Sequence, residues 1–149
     1  MTLELKPISD GALDHRLTVE TLAKLTAERR KYAVVNSFDL GALADSKRIA
    51  PEIPTGCYIP SGHGAVQIAR YLRDGALADA DKCLRAGNDW VYVPPAVLDG
   101  DLTAHIRHMH AHLGVWGVNA KDAFDEVQSW GDRIDAVETD HPTIFGWNR

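Results

Sequence analysis

Short apolar runs alternate along the chain with longer segments in which apolar residues recur at helical spacing. The clearest example lies at residues 112–142. There, residues 115–119 are typical of a short strand, residues 121–130 of a helix with one apolar face, and residues 134–139 of a second strand. Two strands joined by a helix of this length are normally parallel, so the stretch predicts one strand–helix–strand unit.

The rest of the chain repeats this alternation. Further strands are predicted at residues 3–7, 33–37, 54–59 and 89–93, and further helices at 18–32, 40–49, 66–72, 76–86 and 102–112. Six strand-like runs, nearly all followed by a helix, predict an α/β fold with a parallel sheet. Open doubly wound sheets and barrels share this pattern, and periodicity does not separate them.

Composition and charge narrow the class of protein. The chain has 149 residues, 45% of them hydrophobic, which is enough to bury the core of a single domain. Its formal charge of −5 argues against nucleic acid or an anionic membrane surface as a partner. No stretch resembles a signal peptide or is long and apolar enough to insert into a bilayer, so we expect a cytoplasmic protein. Cys57 and Cys83 have no metal-binding or redox spacing, and we expect two buried or half-buried thiols.

Five short motifs are spread over nearly the whole chain. They are ELKP at residues 4–7, VVNSF at 34–38, APEIPTG at 50–56, VWGVN at 115–119 and TDHP at 139–142. In order and in type they resemble the motifs E-x-K, S-S-F, P-x-I-P-x-G, V-W-T-V-N and T-D-x-P of the glycerophosphodiester phosphodiesterase family. Each motif alone is common, but five in the right order, most of them separated by a helix, make the resemblance specific.

The resemblance implies a TIM barrel. A complete barrel needs about 250 residues, so residues 1–149 are expected to form a partial domain, an incomplete barrel of about six parallel strand–helix units out of eight. The first two strands of the family carry a His-Arg-Gly turn, a histidine pair and two metal-binding carboxylates, and nothing before Glu4 supplies them. We therefore expect the chain alone to be weakly active or inactive.

The resemblance also implies a chemistry, the metal-assisted hydrolysis of a glycerophosphodiester to an alcohol and glycerol 3-phosphate. Glu4 matches a family ligand of the divalent cation, Ca²⁺ or Mg²⁺, which prefers carboxylate oxygens. Lys6 matches a lysine that meets the phosphate, and it shares a strand face with Glu4 because side chains alternate along a strand. With one matching carboxylate, the chain alone is expected to hold the cation weakly. The alternative is an ordinary ion pair between these two residues.

Three residues match positions around the substrate. Trp116 and Phe38 match positions that line the glycerol side, and Ser37 is expected at a strand end that faces the mouth of the barrel. Ordinary core packing is the alternative for the two aromatic residues. A hydrogen bond to the backbone of the next turn is the alternative for Ser37.

Three further positions modify the expected site. Asn36 and Gly117 stand where the family usually has Ser and Thr, and both changes remove a hydroxyl. Glu138 adds a second carboxylate directly before the TDHP motif. It would either tune the charge of the site or cap a polar layer, and we favour the second interpretation.

The family mechanism uses histidines, and this chain contains seven. His105, His108 and His112 have helical spacing in the predicted helix 102–112, and three histidines could bind zinc. No carboxylate completes a recognisable zinc motif, so a solvated or partly buried helix face is favoured. His63 lies in a glycine-rich loop after the third predicted strand and is a weak candidate for an acid or base.

Three functions remain open at this point. The first is a phosphodiester hydrolase acting on a small-molecule glycerophosphodiester. The second is a non-catalytic barrel fragment that associates with itself or with a complementing chain through its open sheet edges. The third is an unrelated α/β phosphate-binding enzyme whose motifs match by chance.

Overall fold

The computed structural model describes residues 2–5, 24, 32–60 and 75–145. The predicted helices 18–32 and 66–72 fall almost entirely outside this range, and Lys6 and His63 lie outside it. None of the described helices is long and apolar enough to cross a membrane.

The described residues form six strands and four α-helices: β1 (Thr2–Leu5), β2 (Val34–Ser37), α1 (Leu40–Ile49), β3 (Thr55–Tyr58), α2 (Ala76–Arg85), β4 (Trp90–Val93), α3 (Gly100–His108), β5 (His112–Val115), α4 (Lys121–Ser129) and β6 (Ala136–Val137).

All six strands are parallel and pair in chain order from β1 to β6. The sheet curls into a half-barrel with helices between the strands. This is the incomplete, TIM-barrel-like α/β fold that was predicted from the alternating pattern and the resemblance. Among the described strands, β1 and β6 each pair on one side only.

The two faces of the sheet carry different side chains. Successive residues of a strand point to opposite faces, and in these six strands the odd-numbered residues face the helices. Val35, Val91 and Leu113 on that face are at most 1% exposed and form the core with the helices. The even-numbered residues, such as Asn36 and Tyr58, lie on the concave face. The interior of the half-barrel is therefore lined with polar and aromatic groups.

Two glycines make room for large side chains on the concave face. A Cβ atom at Gly56 would clash with Asn36 Oδ1, and one at Gly114 would clash with the ring of Tyr92. Asn36 and Tyr92 are almost completely buried. Because Gly56 on β3 and Gly114 on β5 have no side chain, the amide of Asn36 on β2 and the ring of Tyr92 on β4 can lie against the sheet.

Cys57 and Cys83 form a disulfide, which corrects the prediction of two thiols. Cys57 is on the helix-facing side of β3 and Cys83 is on α2, so the fold brings together two cysteines that are 26 residues apart. The spacing of the two cysteines in the sequence does not predict the bond, because their contact depends on how α2 packs on the sheet. Disulfides are typical of oxidising compartments, and the cytoplasmic location stays a prediction.

The fifth strand and the helix before it differ from the prediction. β5 ends at Val115, so the predicted strand 115–119 was wrong in its position. The ladder with β4 pairs Trp90 with His112 and Val93 with Val115, and Gly117 then turns the chain with a φ of +72°. The predicted helix 102–112 ends earlier, at His108. The sequence VWGVN is apolar like a strand, but most of it forms the turn beyond the sheet.

The proposed histidine stripe does not form, because His112 lies on β5 instead of on α3. Its ring stacks on Trp90 with the ring centroids 4.4 Å apart. His105 Nε2 lies 3.5 Å from Asp81 Oδ1 on α2. In the described part of the chain no group of three or more His, Cys, Asp or Glu side chains could hold a metal ion.

Candidate functional site

A cleft of about 690 Å³ opens at the carboxyl ends of the strands. Phe38 directly follows β2, Tyr58 is the last residue of β3, and Trp116 directly follows β5. Active sites of parallel α/β barrels lie at this end of the sheet, where the loops after the strands meet. The walls of the cleft include Glu4, Phe38, Tyr58, Trp116, Glu138 and Asp140.

Two hydrogen bonds hold the carboxylate of Glu138 at the wall of the cleft. Tyr58 Oη donates to Glu138 Oε2 over 2.7 Å, and Asn36 Nδ2 donates to Glu138 Oε1 over 3.1 Å. Burial raises the pKa of Glu138, and the charge of Glu4 adds to the rise, while the two hydrogen bonds act in the opposite direction. The carboxylate is therefore fixed in place and sits close to a second acidic group.

The hydroxyl of Tyr58 keeps its proton and acts as a hydrogen-bond donor to Glu138. Burial raises the pKa of Tyr58 above its usual range, and its hydrogen bond to Glu138 raises it further. Asn36 Nδ2 also lies 3.4 Å from Tyr58 Oη, and Asn36 is completely buried. Asn36, Tyr58 and Glu138 form one connected group, referred to below as the Glu138 cluster.

Three aromatic rings form one side of the cleft. The rings of Phe38 and Tyr58 stack with their centroids 4.8 Å apart, and Trp116 meets Phe38 edge-on at 5.4 Å. The indole Nε1 of Trp116 donates to the carbonyl of Ile59 over 3.0 Å, which fixes the orientation of the ring. Phe38 remains 39% exposed although it is a large hydrophobic residue. Phe38, Tyr58 and Trp116 are called the aromatic wall below.

The rim of the cleft joins two of the sequence motifs. Asn119 Nδ2 donates to Asp140 Oδ2 over 2.8 Å. Asn119 Oδ1 in turn accepts from the backbone N–H of Asp140 over 2.9 Å and from the hydroxyl of Thr139 over 3.2 Å. The last residue of VWGVN thus fixes the first two residues of TDHP at the rim of the cleft.

The structure brings together some of the residues that the sequence singled out. Glu4, Phe38 and Trp116 line the same cleft. Ser37 does not line the cleft: it is buried, its hydroxyl donates to the carbonyl of Leu5 over 2.7 Å, and the same oxygen accepts from the N–H of Asp39 over 3.0 Å. These bonds are of the backbone type that was the alternative interpretation of Ser37. Its role in substrate binding stays a prediction.

Sequence reasoning missed Tyr58 and gave too little weight to Glu138. Tyr58 lies in a short apolar strand and has no motif to mark it. The available signal was its position: like Asn36, it lies on the concave face near the carboxyl end of its strand. Glu138 follows the last strand directly and could have been placed at the same rim by the same reasoning.

The described lining does not make a complete cation site. Glu4, Glu138 and Asp140 offer the carboxylate oxygens that a hard divalent cation prefers. As noted above, however, the described residues contain no group of three suitable ligands. A firmly held divalent ion at Glu4 would therefore need ligands from outside the described residues.

No protein-family model and no curated protein matches the sequence, but solved structures do. The fold is similar to a Silicibacter pomeroyi protein provisionally described as a glycerophosphoryl diester phosphodiesterase, with 25% identity and a TM-score of 0.62. It is also similar to a glycerophosphodiester phosphodiesterase from Agrobacterium tumefaciens, with 16% identity and a TM-score of 0.65. A third similar structure is an Oleispira antarctica phosphodiesterase in complex with the product sn-glycerol-3-phosphate, with 18% identity and a TM-score of 0.60.

The match covers nearly all of this chain but only part of each similar structure. It includes 96% of this chain and 48% of the Silicibacter protein, and 97% of this chain and 53% of each of the other two. The chain thus spans about half the length of the structures it matches. The resemblance to glycerophosphodiester phosphodiesterases seen in the sequence motifs therefore extends to the three-dimensional fold, as that of a partial domain.

Proposed function

We propose that this chain supplies about half of the active site of a phosphodiester hydrolase, which converts a glycerophosphodiester and water to an alcohol and glycerol 3-phosphate. The observation that carries the proposal is the cleft at the carboxyl ends of the strands, in a fold shared with phosphodiesterases. One of these neighbours holds glycerol 3-phosphate. The substrate is then a small molecule rather than a nucleic acid or a membrane.

The proposal gives each candidate residue a role. Glu4 is a ligand of Ca²⁺ or Mg²⁺, and Lys6 meets the phosphate. Trp116 and Phe38 line the glycerol side of the substrate, and Ser37 is the third substrate-binding residue. His63 remains a weak candidate for an acid or base. When bound, the cation would neutralise negative charge on the phosphate oxygens.

Charge explains why the proposal assigns only part of the site to this chain. A phosphodiester is already anionic, and its hydrolysis requires fixed positive groups near the oxygens that gain charge. The described lining of the cleft contains carboxylates and no Lys, Arg or His. The positive groups must therefore come from Lys6, from a metal ion, or from the histidine-bearing strands of a complete barrel. Weak activity of this chain alone is the expected result.

A second candidate function rests on the edges of the sheet. Among the described strands, β1 and β6 each pair on one side only, and open edges favour association with another chain or another copy. In this alternative the chain is a non-catalytic barrel fragment. Sedimentation measurements over a range of concentrations would show a dimer or higher assembly.

An assay of glycerophosphocholine hydrolysis tests the leading proposal. The chain is assayed with Ca²⁺ or Mg²⁺, alone and co-expressed with a segment that carries a His-Arg-Gly turn, and the release of glycerol 3-phosphate is measured. We expect activity chiefly in the co-expressed sample. Glu4→Gln should lower it by at least about tenfold, a loss seen even for residues that only support metal ligands.

The matched control is Glu126→Gln, because Glu126 is an exposed carboxylate on α4 and does not line the cleft. This variant should keep full activity. No release of glycerol 3-phosphate in either sample would contradict the proposal. Activity that survives Glu4→Gln unchanged would remove the metal assignment.

A further inference from the structure

The side chains that α2 buries completely are all small. They are Ala76, Ala80 and Cys83, whereas Leu77 on the same helix is 46% exposed. Small side chains contribute little to packing, since a buried methylene group is worth only about 0.8 kcal/mol. Gly75, which precedes the helix, also has no side chain to cap its first turn. The position of α2 on the sheet therefore depends strongly on attachments other than apolar packing.

Two attachments join the last turn of α2 to β3. The first is the disulfide between Cys83 and Cys57. The second is the side chain of Asn88, which donates to the carbonyl of Cys83 over 2.9 Å and accepts from the hydroxyl of Thr55 over 2.7 Å. Only the disulfide responds to redox conditions. Its loss would free most of α2, while Asn88 keeps the end of the helix close to β3.

The disulfide is bonded to the part of β3 that organises the cleft. Cys57 lies on the helix-facing side of the strand, and the next two residues hold groups of the cleft. Tyr58 donates to Glu138, and the carbonyl of Ile59 accepts the hydrogen bond from the indole of Trp116. Three consecutive residues thus connect α2 to the anchored carboxylate and to the aromatic wall.

The burial of the disulfide determines how it can be reduced. Both cysteines are only 3% exposed, so a thiol in solution reaches the bond when α2 moves away from the sheet. β3 is paired with β2 and β4 and stays in place, whereas a helix with few buried apolar groups opens locally at low cost. After reduction α2 opens more often, and the helix side of Cys57 loses its cover. The end of β3, with Tyr58 and Ile59, is then less firmly held.

We infer that the disulfide between Cys57 and Cys83 is a redox-sensitive control on the shape of the cleft. Its reduction by a small thiol releases α2 and loosens both the Glu138 cluster and the orientation of Trp116. A thiolate attacks one sulfur to form a mixed disulfide, and the other cysteine leaves as a thiolate and takes up a proton. A second thiol frees the first cysteine, so two reductant thiols become one disulfide. The inference does not depend on the proposed hydrolysis.

Amide hydrogen exchange of the folded chain tests the release of α2. Exchange is measured by NMR before and after treatment with dithiothreitol, and alkylation verifies that both thiols have formed. The ratio of opening in α2 to opening in α3 should rise at least about tenfold on reduction, because the lost crosslink restrained α2 directly. A crosslink that only stabilises the whole fold would accelerate exchange equally in both helices.

The indole N–H resonances report on the cleft in the same samples. The resonance of Trp116 should shift or broaden on reduction, because its acceptor is the carbonyl of Ile59. The resonance of Trp130 is the internal control, since this residue ends α4 and its ring contacts Arg133. It should stay unchanged. Removal of dithiothreitol and addition of oxidised glutathione should restore the original spectrum.

A variant without the bond separates the effect of the disulfide from other effects of the reductant. Cys83→Ser should show the exchange pattern of the reduced chain without treatment and should not respond to dithiothreitol. Circular dichroism reports whether each sample is folded. Equal acceleration of α2 and α3, an unchanged Trp116 resonance after verified reduction, failure to recover on reoxidation, or loss of the whole fold on reduction would each overturn the inference.

Discussion

The hydroxyl of Tyr58 donates a hydrogen bond of 2.7 Å to Glu138, across 80 residues of sequence. The bond connects the end of β3 to the residue that follows β6. It fixes a carboxylate at the mouth of the half-barrel beside a wall of aromatic rings. The interpretation of the cleft depends on this pairing, and it can be tested directly.

Tyr58→Phe removes the hydroxyl that donates to Glu138 Oε2, while the hydrogen bond from the amide of Asn36 remains. Hydrogen bonds to a charged group contribute about 1.5–3 kcal/mol when they are well formed, so we expect the free energy of unfolding to fall by about 1–3 kcal/mol. Urea unfolding measures the change. The double variant with Glu138→Gln should show coupling of at least about 0.5 kcal/mol between the two positions. Additive effects would indicate that the two side chains do not interact in solution.

The pH dependence of stability tests the environment of Glu138. Its pKa in the folded protein lies above the ordinary value of 4.5, because of burial and the nearby charge of Glu4. The folded state therefore binds this proton more tightly than the unfolded state. The resulting stabilisation is fully present below the ordinary pKa and is lost as pH rises through the folded pKa.

Urea unfolding at a series of pH values measures this effect. The difference in free energy of unfolding between the original chain and Glu138→Gln should fall as the pH rises from about 4. Glu126→Gln should follow the original chain at every pH. A constant difference between the original chain and Glu138→Gln would show that the pKa of Glu138 is not raised by folding.

Reduction of the disulfide between Cys57 and Cys83 should destabilise the fold. The bond closes a loop between residues 26 apart, and such a crosslink typically contributes about 2–4 kcal/mol by restricting the unfolded chain. Unfolding with and without a reducing agent measures the loss. A Cys83→Ser variant should be insensitive to the reducing agent. Recovery of both cysteines as alkylated thiols from unreduced protein would show that the bond does not form.

Gly114→Ala tests the close approach of Tyr92 to the sheet. The new methyl group would overlap the ring of Tyr92, and overpacking of a buried site costs about 1–3 kcal/mol. We expect a corresponding fall in thermal stability. Gly100→Ala is the matched control, because a Cβ there has open space at the start of α3. Equal stability of the two variants would mean that Tyr92 moves aside at little cost.

The sequence predicted the architecture well, because the regular spacing of apolar residues indicates which face of each helix or strand is buried. The helix predicted at 40–49 occurs as Leu40–Ile49, and the one predicted at 121–130 occurs as Lys121–Ser129. The predicted position of β5 was wrong because VWGVN is apolar, although only its first residue, Val115, belongs to the strand. In this segment Gly117 adopts a positive φ and the chain turns over the cleft. Burial in a turn and burial in a strand give the same pattern of residues.

The site was predictable only where a motif marked it. Glu4 and Trp116 were found through the resemblance, and both line the cleft. Tyr58 could not be found in this way, because its role depends on a partner 80 residues away. The disulfide was missed for the same reason. Contacts between distant elements are set by the packing of the whole sheet and leave no local trace in the sequence.

The parallel order of the strands also determines when the cleft comes into existence. Asn36 reaches Glu138 across 102 residues, and contacts of such long range usually form late in folding. A molecule with a frayed sixth strand would keep most of its ladder but have no anchored acid at the mouth. A ligand that recognises only the closed arrangement would draw the equilibrium toward it by mass action. A ligand bound in the cleft would then keep β6 paired with β5.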